Sequence, residues 1–429
     1  MKSFENIIGY EKVKNELYQV IDMFKNKEMY KKIGANLPRG VIIYGDPGLG
    51  KTMLAEAFIK ECGVDTFVVK NKMLDRELIR EVNNAFISAS KLDKAIIFLD
   101  DMDKFSEEDG NIDDRLFVAI QANIDSVKDK DILVIATVNN MNKLPESLIR
   151  SGRFDRRISV ETPSNSDAKK IIEYYLKKRN VSENLNIEDV SRMINYVSCA
   201  DLESIINDSA IIATYDRRDS IDIEDIVRSY SHYDRNEFED IDLNCDEEEV
   251  EKTALHEAGH VVVAEAIKKS CVGFVNIKME QHNGISGFTH LCENFRRRPH
   301  SILMCLAGKV ACELFYEGRC ASGCHSDLIR AVNNISSGMY GNATYGLGFL
   351  NLGGGMHNEI SETLKSRGEA VVQAELERYQ FQVRDILLKN KDFVFKVMKE
   401  LKEKKYLLYS DIQRIRSEVT VTSLGEILW

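Results

Sequence analysis

Val41-Ile42-Ile43-Tyr44-Gly45-Asp46-Pro47-Gly48-Leu49-Gly50-Lys51-Thr52-Met53 is the stretch whose reading decides the fold. A short apolar run leads into G-x-x-x-x-G-K-[ST], and a helical pattern opens behind it at Met53, which is the strand, loop and helix order of a phosphate-binding loop. In such a loop the amides from Gly45 to Thr52 cradle phosphate oxygens. Lys51 reaches the terminal phosphates and Thr52 offers its hydroxyl to Mg²⁺. ATP with Mg²⁺ is therefore the expected ligand of the first part of the chain.

Working outward, Lys12 to Phe24 carries Val13, Leu17, Val20, Ile21 and Phe24 at helical spacing. Ala95-Ile96-Ile97-Phe98-Leu99 is a second buried strand and ends in Asp100-Asp101. An acid at the carboxyl end of such a strand holds Mg²⁺, so Asp100 is read as the metal partner and Asp101 as the water activator. Ile132-Leu133-Val134-Ile135-Ala136 is a third strand and runs into Thr137-Val138-Asn139, where a polar side chain can sense the terminal phosphate. Apolar strands alternating with helical segments predict an α/β module, a mostly parallel sheet with helices on both faces and ligands at the strands' carboxyl ends. The arginine-rich turn Leu148 to Arg157 reads either as phosphate neutralisation across a subunit boundary or as an ordinary charged surface turn.

Further on, Leu255-His256-Glu257-Ala258-Gly259-His260-Val261 is H-E-x-x-H within a helical pattern. Two imidazoles one turn apart on one helix face clamp a divalent metal, zinc above all, and a carboxylate between them suits general-base work on a metal-activated water. A third ligand is needed, and several residues compete. Glu280 lies at a spacing from His260 that thermolysin-like enzymes use, but Val272 to Met279 alternates as a strand does, whereas the thermolysin ligand sits on a helix. His325 and Asp327 open a later helical segment, where Asp327 also suits the helix dipole.

With 429 residues, 44% hydrophobic and 30% charged, the chain has material for two or three domains. A formal charge of -11 argues against nucleic acid as the main partner. Nine cysteines without a regular framework read as reduced thiols in a cytosol-like compartment. No apolar run reaches the roughly 18 residues that span a bilayer, and the amino terminus has no signal-peptide core, so a soluble chain is expected. Asp234 to Glu251 is dense in acids and reads as a solvated linker.

Phe4 to Arg157, from Phe4-Glu5-Asn6-Ile7-Ile8-Gly9 through both nucleotide motifs to Ser151-Gly152-Arg153-Phe154-Asp155-Arg156, resembles the ATPase module of the FtsH-type AAA+ proteases. The likeness continues through Ser198-Cys199-Ala200-Asp201-Leu202, similar to that family's small helical lid, and through His256 to His260 nearly to the end. The resemblance implies an AAA+ large subdomain over residues 1–163, a small helical subdomain over 164–233, the acidic linker over 234–250 and a mainly helical zinc metallopeptidase domain over 251–429. Asn139 is implied as sensor, with Arg153 and Arg156 as arginine fingers acting on the adjacent protomer of a homo-hexameric ring. Gly323-Cys324-His325-Ser326-Asp327-Leu328 is similar to the stretch that delivers the family's aspartate ligand, which favours Asp327 beside His256 and His260, with Glu257 as the catalytic base. Gly284 to His290 resembles the edge strand that pairs with substrate.

The sequence departs from the pattern of the family it resembles in three places. Asp46 and Leu49 alter the loop, and Asp101 stands where the family has a glutamate one methylene longer. The stretch Lys70 to Leu78, where a pore loop with an aromatic should occur, is short and offers only Met73 and Leu74. The implied activity is ATP-dependent zinc-dependent cleavage of unfolded or loosely folded polypeptides. The alternatives are a metallopeptidase with a weakly hydrolysing ring and a nucleotide-gated assembly ring.

Overall fold

A computed structural model describes residues 3–70, 75–105, 107–108, 111–112, 114–150, 152–235, 247–280, 284–292, 295, 297–316, 324–342, 344–346 and 362–426. The chain forms two compact units that interleave in sequence. One is Met1–Glu183 with Ile194–Asp225, and the other is Asn184–Met193 with Ile226–Trp429.

The first unit begins with helices α1 (Glu11–Lys25) and α2 (Lys27–Lys32). Strand β1 (Gly40–Tyr44) then leads into α3 (Lys51–Cys62), followed by β2 (Asp65–Lys70), α4 (Asp75–Ala89) and β3 (Lys94–Asp100). The short pair β4 (Glu107–Glu108) and β5 (Asn111–Ile112) precedes α5 (Asp114–Ser126), β6 (Asp131–Val138) and β7 (Arg156–Ser159). The larger strands form a five-stranded sheet in the order β2-β3-β6-β1-β7, every pairing parallel.

A sheet buried on both faces needs apolar residues at consecutive positions, and these strands supply them. Val41, Ile43, Ile96, Phe98, Leu133 and Ile135 pack on the side of α1 and α3. Their sequence neighbours Ile42, Ile97, Leu99, Val134 and Ala136 pack on the side of α4 and α5. The parallel register sets Tyr44 beside Val138 and Leu99 beside Ala136, so the carboxyl ends of β1, β3 and β6 meet at one edge. Helix α6 (Asn165–Leu176) is started by Ser164, whose side chain accepts from the Asp167 amide. After α7 (Ile187–Met193), which groups with the second unit, comes α8 (Cys199–Tyr215), opened by a Ser198/Asp201 capping box.

Helix α9 (Ile223–Arg235) passes into the second unit, whose centre is α10 (Glu247–Ile267). Every residue from Ala254 to Ala266 in α10 is buried, so this helix has no solvent stripe and must be wrapped on all sides. Strands β8 (Val272–Glu280) and β9 (Gly284–Leu291) pack on it together with α11 (Arg298–Phe315), α13 (Glu362–Lys389) and α14 (Lys391–Lys404), and α12 (His325–Asn342) packs on α11 and α13 to complete the helical layer. Strand β10 (Tyr406–Leu408) and helix α15 (Tyr409–Ser417) follow. The sheet order β10-β8-β9 is antiparallel and leaves β9 at an edge among the described residues. No helix among the described residues is long and apolar enough to cross a membrane.

Candidate functional site

In the first unit the loop after β1 turns through Gly48 at φ +77 and Gly50 at φ +83, left-handed conformations that glycine adopts without a Cβ penalty. Lys51 opens α3 with its Nζ donating to the Asp46 carbonyl at 2.7 Å. Burial pushes the Lys51 ammonium down from its ordinary range, while Asp101, Asp103 and Asp46 pull it up. Thr52 Oγ1 donates to Asp100 Oδ1 at 3.0 Å, joining the two side chains expected to flank Mg²⁺. Thr137 Oγ1 reaches the same Asp100 oxygen at 2.8 Å.

Asp101 sits at φ 54, an uncommon conformation for a side chain with a Cβ and one that recurs at functional turns. Asn139 Nδ2 donates to Asp101 Oδ1 at 3.2 Å, and Lys104 Nζ pairs with Asp101 Oδ2 at 2.7 Å. Buried Asp103, not singled out in the sequence, accepts from the Asn139 and Asn140 amides at 2.9 and 3.1 Å and so fixes the end of β6. Lys70, carried beside Asp100 by the β2 register, pairs with it at 3.3 Å. Arg153 and Arg156 are engaged elsewhere. Arg153 donates to Asp125 Oδ2 at 2.9 Å and to the Ser147 carbonyl at 2.6 Å, and Arg156 donates to Gln19 at 2.7 Å. Met73 and Leu74 lie outside the described residues, as does the acidic run 236–246.

In the second unit, one turn of α10 presents His256 and His260 on one face, and the first turn of α12 brings Asp327 to them. His260 Nε2 lies 3.0 Å from His256 Nε2 and 3.1 Å from Asp327 Oδ2, and His256 Nε2 lies 3.4 Å from the same oxygen. All three side chains are buried. His260 Nδ1 is 2.9 Å from the Met304 carbonyl. Donation there places the proton on Nδ1 and leaves the Nε2 lone pair for a ligand.

Ligand atoms bonded tetrahedrally at 2.0–2.1 Å stand about 3.3 Å apart, so this triangle of two imidazole nitrogens and one carboxylate oxygen fits zinc with a position left open. Burial raises the Asp327 carboxyl, but the His256 and His260 imidazoles set against it outweigh burial and hold the group well below the usual carboxylate range. Its second oxygen accepts from Arg330 at 2.7 Å.

Glu257, 4% exposed, accepts from Thr289 Oγ1 at 2.7 Å. Gly308 of α11 lies flat under the His256 ring, since a Cβ there would stand 2.4 Å from ring atoms. Neither Thr289 nor Gly308 carried a sequence signal tied to chemistry. Of the competing ligands, the structure brings in Asp327; His325 is exposed on the same turn, and Glu280 ends strand β8.

Residues 41–162 match the model of the ATPase family associated with various cellular activities. The ATP-dependent zinc metalloprotease FtsH 2 of Symbiobacterium thermophilum is 28% identical over 97% of this chain and 74% of its own length. The FtsH of Borreliella burgdorferi is 27% identical over 96% of this chain and 69% of its own. That of Mycoplasmoides gallisepticum is 29% identical over 77% of this chain and 46% of its own. The chain spans under half the length of several such relatives, 46%, 34% and 39% in three of them. The family model falls on the nucleotide loop and its parallel sheet, and the similarity to the FtsH-type AAA+ zinc metalloproteases extends over nearly the whole chain, the two-histidine helix included.

Proposed function

We propose that this protein is an ATP-dependent zinc metalloprotease that hydrolyses peptide bonds of unfolded or loosely folded polypeptides delivered by an AAA+ ring. The observation that carries the reading is the convergence of His256 Nε2, His260 Nε2 and Asp327 Oδ2 beside the buried Glu257 carboxylate. Those three atoms would hold zinc, which when bound acts as a Lewis acid and lowers the pKa of a coordinated water to about 7. Glu257 takes the proton of the attacking water and returns it to the leaving amine nitrogen. The Met304 carbonyl keeps the His260 tautomer fixed, and β9 at the sheet edge offers main-chain hydrogen bonds to an extended substrate.

In the first unit, Gly45 to Met53 would hold ATP, with Thr52 and Asp100 on Mg²⁺, Asp101 orienting the water and Asn139 sensing the terminal phosphate. Arg153 and Arg156 would act on the neighbouring protomer of a homo-hexamer. The functional division into residues 1–163, 164–233, 234–250 and 251–429, and a reducing, cytosol-like compartment, belong to the same proposal.

Cleavage of an unfolded polypeptide such as casein, with and without ATP, tests it. Parent protein is expected to cleave only with ATP, Glu257→Gln to lose cleavage while keeping zinc and ATP turnover, and Asp101→Asn to lose turnover and cleavage together. Cleavage by Glu257→Gln at the parent rate would end the assignment.

One observation favours a ring that hydrolyses slowly. Both Asp101 oxygens are engaged, one by Lys104 and one by Asn139. Lys104→Ala is then expected to raise ATP turnover several-fold; an unchanged rate would show that the ion pair does not restrain the water activator.

A further inference from the structure

Strand β9 alternates its side chains between two faces, and Gly287 and Thr289 fall on the one turned to α10. Thr289 Oγ1 donates to Glu257 Oε2 at 2.7 Å. At Gly287 a Cβ would stand 2.6 Å from Glu257 Cγ and 2.9 Å from Oε1, so the strand backbone closes over the rest of the same side chain. The terminal torsion of a glutamate is broad and roughly two-fold, and packing against a glycine does not choose among its rotations. A short hydroxyl-to-carboxylate bond does, because it is charge-assisted and directional.

We propose that Thr289 is a positioning residue for the general base, its hydroxyl occupying Glu257 Oε2 so that Oε1 is presented to the proton it must take. The proposal rests on the peptidase reading above. Thr289 touches no reacting atom; it acts through Glu257. General-base catalysis contributes about 10²- to 10⁴-fold, and misorientation forfeits part of that, so loss of the hydroxyl is expected to lower kcat about 10-fold. Because the Thr289 side chain faces α10 and only the main chain of β9 is offered to substrate, KM is expected to stay unchanged.

The test uses the full chain with ATP and a fluorogenic unfolded peptide, with zinc content and thermal unfolding measured for every variant. Thr289→Val keeps the branched shape and removes the hydroxyl. It is expected to lose kcat about 10-fold with parent KM and stoichiometric zinc. Thr289→Ser is expected to restore most of kcat, and Thr289→Ala to match Thr289→Val. Parent kcat in Thr289→Val or Thr289→Ala would overturn the proposal, as would equal losses in Thr289→Ser and Thr289→Ala, which would assign the effect to the methyl group. If Thr289→Val does not fold, the Ser and Ala pair decides alone. Glu257→Gln runs alongside: its inactivity beside a fully active Thr289→Ala sinks only the positioning role, whereas parent-like cleavage by Glu257→Gln sinks the peptidase reading itself.

Discussion

A methyl group at Gly308 would press on His256 at 2.4 Å, against an imidazole already confined by the helix that bears it. The ring would have to tilt away from His260 and Asp327. Gly308→Ala is therefore expected to weaken zinc binding about 10–100-fold, the range typical when a metal ligand loses its support. Competition with a chromophoric chelator measures it directly. Alanine is about 1 kcal/mol the better helix former, so loss of metal beside unchanged or improved helicity would assign the effect to the collision. At this scale the sequence was legible where chemistry demands a residue type at a fixed spacing. His256, Glu257 and His260 share one helical turn, and Lys51 and Thr52 follow a glycine loop. Gly308, Thr289, Asp103 and Lys104 were illegible because each acquires its role from a partner set by the fold. Asp327 lay between these cases, since its spacing from His260 means nothing until α12 is seen to bring it there.

Helices α10 and α11 approach closely at Gly259, where a Cβ would meet Ala311 Cβ at 2.6 Å and the Ala307 carbonyl oxygen at 2.7 Å. A side-chain tip can turn aside, but a helix backbone cannot. Gly259→Ala is expected to cost about 1–3 kcal/mol of overpacking against about 1 kcal/mol of gained helix propensity. The net loss should lower the unfolding midpoint by about 2–4 °C per kcal/mol, readable by circular dichroism. Strands and amphipathic helices were the readable elements. The alternation from Val272 to Met279 became β8, and the spacing from Lys12 to Phe24 became α1. The strand reading of that segment set Glu280 apart from the helix-borne ligand of thermolysin-like enzymes. The central place of α10 was harder to foresee, because a helix buried all round shows no stripe to read.

Across the whole molecule, the proposed metal and nucleotide sites fall in different compact units, and each ligand is expected to protect its own. Hydrogen exchange should show chelation loosening α10 and α12 while the parallel sheet holds its protection, and ATP with Mg²⁺ tightening the loop after β1. A ligand at 100-fold over its Kd contributes about 2.7 kcal/mol to the state it binds, enough to register in exchange rates. Equal loosening of both units on chelation would count against a zinc site confined to the second. The α/β class and the helical second half were legible from the order of motifs. The interleaving of the two units was not, because a short helix such as α7 carries no mark of the unit it will join.

The placement of α7 has a consequence for how the chain is made. Ser410, at the start of α15, gives its amide and hydroxyl to buried Asp189 of α7 across 221 positions of sequence. During synthesis α7 emerges long before its partner, and its buried carboxylate must wait for nearly the last helix to arrive. Closing so large a loop is slow, which exposes the half-made unit to misassembly. A fragment cut to begin at Glu251 would omit this helix and leave the amide and hydroxyl of Ser410 without the Asp189 acceptor they meet here. Dissection of this protein should therefore follow its contacts, keeping residues 184–193 with the carboxyl-terminal unit, rather than the linear order of its motifs.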